Sequence, residues 1–132
     1  MSNRLTSREL IAVARCLTHF QSDITDYELE NYASLDNTQR AEIEQTLSLL
    51  AVSAGSLYAF VVQLEFAQIQ PEIQKMQEAT EGLKRFLHTT QKIQQILDVV
   101  SAVAALADAI MNTDVESITS GIDNIIGMTG ID

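Results

Sequence analysis

Two histidines are the first residues of this sequence to consider for catalysis, because His19 and His88 are its only side chains of that type. Arg15 lies four residues before His19, so the two share one face of a helix. A catalytic site needs several convergent polar groups, however, and no second polar motif accompanies this pair. We therefore interpret Arg15 and His19 as the edge of an amphipathic helix, and we predict no catalytic residues.

One cluster of basic side chains stands out in an acidic chain. Its members are Lys84, Arg85, His88 and Lys92. On a continuous helix three of them recur every four residues, which makes a candidate patch for an anionic partner, a phosphate or a lipid headgroup. The alternative is that they pair with acids of a neighbouring helix, such as Glu65 or Glu72. We favour this second interpretation, in which the basic residues have no binding role, because a run of charged residues is usually an ordinary solvated face.

Other patterns that carry chemistry are absent from the sequence. There is no Glu-x-x-His motif for a metal pair, no Cys/His cluster for zinc and no glycine-rich phosphate loop. Cys16 is the only cysteine, so it forms no intrachain disulfide and is interpreted as a small buried hydrophobe. Asp98 and Asp108 interrupt an apolar segment, and we expect both to face solvent. The sequence thus predicts neither a metal nor a cofactor.

Composition indicates a single all-α domain over residues 1–132. The 132 residues include 5 glycines and 1 proline, which is too few turn residues for a sandwich or barrel. The net charge of −10 opposes binding to nucleic acid or anionic lipid through a general field. The first residues hold no long apolar core before a small-residue cleavage site, so we expect a cytoplasmic protein.

Capping signals predict three short helices. A hydroxyl residue three positions before a glutamate marks a helix start, since the two side chains satisfy unpaired backbone amides. The pattern occurs at residues 6–9, 25–28 and 113–116. It predicts helices over 6–22, 25–34 and 114–127. Gly127 is the expected C-terminal stop of the last one.

Apolar ladders with alternating steps of four and three residues predict two long helices, over about 37–70 and 72–111. Asp36 or Asn37 is expected to cap the first. The fold predicted from these elements is an elongated bundle of four or five helices built on a long antiparallel helical hairpin. The chain reverses at Pro71 in one interpretation and near Gly82 in the other, and both remain open.

Small residues recur every four positions on both long helices and form two smooth stripes. The stripes consist of Ala51, Gly55 and Ala59, and of Ser101, Ala105 and Ala109. Such stripes let two helix backbones approach closely. They meet within the chain if it reverses near Gly82, and they pair between subunits if it reverses at Pro71. We therefore predict that these six residues form a helix-packing interface.

The segment from Gln45 to Leu64 contains no charge and is long enough to cross a membrane. Serine and glutamine dilute it and no Lys/Arg cluster flanks it, so a buried helix of a soluble bundle ranks first. An amphipathic hairpin with a charge-poor middle is similar in texture to helical pore-forming toxins. That resemblance implies, as the alternative, a membrane-active protein that inserts residues 45–64 on assembly.

The resulting functional hypothesis is a non-enzymatic assembly or interaction protein. It rests on the coiled-coil spacing of the two long helices and on apolar residues outside that spacing. It also rests on the lack of a set of residues that could form a catalytic site. The expected partner is a second copy of the chain or a helix of another protein. No nucleic acid, cofactor or small-molecule substrate is expected.

Overall fold

The computed structural model describes residues 6–59 and 70–130, and within them the chain forms five α-helices and no strand. The helices are α1 (Ser7–Glu30), α2 (Asn37–Tyr58), α3 (Gln70–Thr89), α4 (Ile93–Met111) and α5 (Val115–Thr129). A short 3-10 turn at Tyr32–Ser34 connects α1 to α2. The predicted all-α class and helix number are therefore confirmed.

The five helices pack as a closed ring around one apolar core. In the ring α1 packs on α2, α2 on α4, α4 on α5, α5 on α3, and α3 on α1. Two pairs of helices that are consecutive in the chain, α2 with α3 and α3 with α4, are therefore not neighbours in the ring. The largest fully buried side chains, among them Phe20, Leu50, Met76 and Leu106, come from four of the helices. Burial of these side chains supplies the main driving force for the arrangement.

The predicted single helix over 72–111 is wrong, because the chain breaks between α3 and α4 at residues 90–92. Lys92 has an extended backbone conformation and caps α4 without a side-chain hydrogen bond. A straight continuation would carry Val100 and Ile110 away from the other helices. The break lets α4 lie against α2 and α5 and bury both side chains. Burial therefore outweighs the continuous helical pattern of the sequence.

Neither Pro71 nor Gly82, the two residues considered as the point of chain reversal, interrupts a helix. Gly82 is buried inside α3, so a reversal near it is wrong. Pro71 lies in the first turn of α3, where a proline's missing N–H has no intrahelical acceptor to lose. The predicted helical residues 60–69 lie outside the described residues. The long antiparallel hairpin is not confirmed.

The predicted break between helices 6–22 and 25–34 is also wrong, since α1 runs unbroken from Ser7 to Glu30. Phe20, Ile24 and Tyr27 are all buried on one face of it. A break after residue 22 would turn the last two away from the core. Packing therefore overrides the local capping signal at Thr25.

Two helix starts follow the sequence prediction closely. Thr6 N–H donates to Glu9 Oε1 over 2.7 Å, and Glu9 N–H donates to Thr6 Oγ1 over 3.2 Å. Asp36 and Gln39 exchange the same pair of bonds at the start of α2, over 2.8 and 2.9 Å. Both capping boxes satisfy backbone amides that a helix start leaves unpaired.

The last helix starts and ends one to three residues away from its prediction. Asp114 caps it by accepting from Ser117 N–H over 3.3 Å, one residue after the predicted cap. Gly127 remains helical, and the helix ends at Thr129 with Gly130 as its C-cap, whose φ of 69° is the left-handed conformation that glycine adopts easily.

Glu28 is a buried carboxyl at the contact between α1 and α2. It is 8% exposed, and its Oε2 atom has no hydrogen-bond partner. Burial raises the pKa of Glu28 above 4.5, Glu44 raises it further, and Arg40 opposes the change. Arg40 donates to the backbone oxygens of Tyr32 and Leu35, so it does not satisfy the buried carboxyl.

Replacing Glu28 by glutamine is expected to stabilise the protein at neutral pH. A raised folded-state pKa means that Glu28 contributes most to stability below pH 4.5, and that this contribution is lost as the pH rises through the folded pKa. Glu28→Gln should raise the free energy of unfolding by about 1 kcal/mol at neutral pH and lose that gain in acid. Urea unfolding at neutral and at acidic pH measures this free energy, and Glu81→Gln, at an exposed position, is the control. Equal effects of the two substitutions would contradict the assignment.

Two helical glycines differ in the space around them, which gives a second prediction. A Cβ on Gly121 would lie 3.4 Å from Leu106 Cβ, whereas a Cβ on Gly55 would meet nothing within 4 Å. Gly121→Leu should lower the free energy of unfolding by about 1–3 kcal/mol through overpacking. Gly55→Leu should leave it unchanged or raise it by up to about 1 kcal/mol, because glycine is a poor helix former. Urea unfolding in dilute solution compares the two, and a loss at Gly55 would show a close contact within the chain.

Candidate functional site

The predicted basic patch is divided by the fold. Lys84, Arg85 and His88 are exposed on α3, whereas Lys92 lies beyond the helix break, at the start of α4. The predicted stripe with a period of four residues therefore loses its last member. As a surface for an anionic partner, the patch remains a prediction.

A polar cleft between α1 and α3 brings both histidines of the chain together. Its volume is about 220 Å³. The lining residues are His19, Ser22, Asp23, Asp26, Tyr27 and Glu30 of α1 and Lys84, Leu87 and His88 of α3. Arg15 is not among them, so the structure gives His19 a different set of neighbours from the predicted pair. We call this site the α1–α3 cleft.

Within the α1–α3 cleft, the neighbouring charges change the pKa of Asp23. Burial raises its pKa above 3.8. The positive charge of Lys84 acts against this rise, as do His19 and His88, whereas Asp26 adds to it. The acids facing Lys84 and His88 are thus those of α1. Of the acids predicted to pair with this patch, Glu72 lies with its Oε1 atom 3.7 Å from Nζ of Lys75 on the same helix. Glu65 lies outside the described residues.

In this cleft Lys84 and His88 of α3 face three acids of α1, Asp23, Asp26 and Glu30. No group of three or more His, Cys, Asp or Glu side chains within residues 6–59 and 70–130 is arranged to hold a metal ion. An adjoining cavity of about 430 Å³ shares His88 and Glu30 and extends to Gln91 in the turn before α4. Sequence reasoning missed the cleft because it depends on the contact between α1 and α3, which no local pattern encodes.

The electrostatic role of Lys84 yields a prediction for its partner Asp23. Lys84→Met removes the largest opposing charge, so it should raise the pKa of Asp23 further. A pH titration of the Asp23 carboxyl carbon by NMR measures the change. Lys92→Met serves as the matched control and should leave that pKa unchanged. An equal shift in both variants would contradict the proposed arrangement.

The structure does not bring the two small-residue stripes together within the chain. Ala51 and Gly55 are exposed on α2, and Ala59 is exposed as the C-cap of that helix. Ser101 and Ala105 are exposed on α4, and only Ala109 of the second stripe is buried. The helices α2 and α4 do pack, but through other faces, where Ser53 Oγ donates to Ala107 O over 3.5 Å. Pairing of the stripes between subunits remains a prediction.

The exposed side of α2 carries a seam with coiled-coil spacing. Its residues alternate in steps of four and three and are Glu44, Ser48, Ala51, Gly55 and Tyr58. All five are exposed, and Tyr58 keeps 43% of its surface. Val52 lies beside the seam and is 57% exposed. We call these five positions the α2 seam; past Glu44 none of them carries a charge.

A further cavity, of about 440 Å³, lies between α2 and α4. Leu49, Leu97, Val100 and Ala104 contribute apolar walls, and Glu42 is its single carboxylate. One isolated carboxylate provides no pair of groups for acid–base chemistry. This groove flanks α2 on the side away from Tyr58.

The two aspartates of α4 are both exposed, as predicted. Asp98 Oδ1 accepts a hydrogen bond from Gln94 over 3.0 Å. Among the described helices, α4 is long and apolar enough to cross a membrane, with a mean hydropathy of 1.5, but half of it is buried as a core helix of the bundle. Residues 60–64 of the charge-free segment lie outside the described residues.

Comparisons with protein families, with curated proteins and with solved structures find no match to this chain. Its function must therefore be argued from its own surfaces.

Proposed function

We propose that the protein is a non-enzymatic assembly protein that associates with a second copy of itself through the α2 seam. The observation that carries the proposal is the exposure of Val52 and Tyr58 on the one long stretch of helix without charge. Large apolar side chains that stay exposed on a charge-free helix are candidates for a protein contact surface.

The distribution of charge supports a second copy as the partner. With a net charge of −10, two copies repel each other over most of their surfaces. Between Gln45 and Ala59 the chain carries no charge, so two copies that meet along this part of α2 avoid close like-charge contacts. The corresponding exposed side of α4 is less suited, since Asp98 and Asp108 border it.

The size of the side chains supports the same surface. Ala51 and Gly55 are exposed, and a Cβ added to Gly55 would meet nothing within 4 Å. A facing helix can therefore approach the backbone closely. A single helix pair is at the small end of stable interfaces, which typically bury about 800 Å² per partner, so we expect a concentration-dependent dimer.

The alternative is a membrane-active, pore-forming-like protein that inserts residues 45–64. The absence of charge from this segment favours it. Leu50, Ala54 and Leu57 of the segment belong to the core, so insertion would first require α2 to leave the bundle.

An added charge at the centre of the α2 seam tests the proposed association. Ala51→Glu should convert a dimer to a monomer in light scattering after size exclusion, because two like charges would meet in the contact. Alanine and glutamate are both good helix formers and residue 51 is exposed, so the fold should persist.

Ala105→Glu is the matched control, with the same substitution on the other small-residue stripe. It should leave the dimer intact. A dimer lost only in Ala105→Glu, or a wild-type monomer at all concentrations, would refute the proposed surface. A wild-type monomer that floats with liposomes would instead support the membrane alternative.

A further inference from the structure

We infer that two copies of the chain pair with their α2 helices antiparallel, so that Tyr58 of each copy donates a hydrogen bond to the Glu44 carboxylate of the other. This inference rests on the proposed association and assigns its orientation and its specificity-determining contact.

The chemistry of the α2 seam is asymmetric along the helix. At one end it has a carboxylate, Glu44, and at the other a phenol, Tyr58. The three seam residues between them, Ser48, Ala51 and Gly55, are small. The seam thus has one charged acceptor and one strong neutral donor, separated by about 21 Å at 1.5 Å per residue.

A parallel pair would place the two Glu44 carboxylates against each other. Like charges in direct contact are unfavourable, and the excess negative charge of the chain adds to the repulsion. An antiparallel pair centred on Ala51 separates the two carboxylates by about 21 Å. Electrostatics therefore selects the antiparallel orientation.

The same centre aligns the two ends of the seam. Residues 44 and 58 are equally far from residue 51, so in an antiparallel pair each tyrosine lies opposite the partner's glutamate. A two-fold axis across antiparallel helices brings equivalent flanks together, which keeps both groups on the same side of the contact. A phenol that donates to a carboxylate forms a charge-assisted hydrogen bond, which is stronger than a neutral one.

The central residues are consistent with this arrangement. Ala51 lies at the axis, and Gly55 faces the half-buried Leu47 of the other copy. Because a Cβ on Gly55 would meet nothing within 4 Å in its own chain, a facing leucine has room there. The exposed ring of Tyr58 adds the aromatic contact typical of interface hot spots.

Cross-linking through single introduced cysteines tests the orientation. Ala51→Cys should cross-link two copies efficiently with a short bismaleimide, and Tyr58→Cys should not, because its two copies would be about 21 Å apart. The native Cys16 does not compete, since it is buried and its pKa is raised to about 11. Equal cross-linking at both positions would establish a parallel pair and overturn the inference, while self-association itself would stand.

A double-mutant cycle tests the contact. Tyr58→Phe removes the donor and should weaken the dimer about tenfold, whereas Glu44→Gln keeps an acceptor, loses only its charge and should weaken the dimer less. The double variant should be little weaker than Tyr58→Phe alone, because both substitutions act on the same hydrogen bond. Glu42→Gln, an exposed glutamate of the same helix outside the seam, is the control and should have little effect. Additive effects of the two seam substitutions would refute the Tyr58–Glu44 contact. A wild-type monomer at all concentrations would remove the inference together with the proposed function.

Discussion

Burial of one face of α1 against both α2 and α3 is the constraint on which the rest of the bundle depends. Phe20 and Ile24 are fully buried near its middle, and Leu10 and Tyr27 extend the same face towards its ends. Because α1 is unbroken, it fixes α2 on one side and α3 on the other. The ring can then close only if α4 and α5 bridge between those two helices.

The same packing decides which polar groups face one another and which surfaces stay uncovered. The α1–α3 cleft brings two histidines and a lysine near three acids, and the lysine and both histidines act against the rise in the pKa of Asp23. The α2 seam is different, because past Glu44 it carries no charge and no helix among the described residues covers it. This difference directs the functional argument to the seam and away from the histidines.

The helix ends show which features of the fold local sequence signals determine and which they do not. The capping box at Thr6 forms as predicted, and Asp36, one of the two predicted caps of α2, also forms a capping box, because each depends on side chains only three residues apart. The similar signal at Thr25 is not used, and the apolar ladder across Thr90 does not make one helix. In both cases the cost of ignoring a local preference is smaller than the gain from burying several apolar side chains.

The sequence by itself determined the all-α class, most helix starts, the exposure of Asp98 and Asp108 and the burial of Cys16, since periodicity and capping are local properties. Only the tertiary structure decided which helices are neighbours. It placed His19 beside His88 and left Ala51 and Gly55 facing solvent instead of the stripe on α4. The physical reason is that several ring arrangements can satisfy the same apolar stripes, and only simultaneous packing of all five helices selects one.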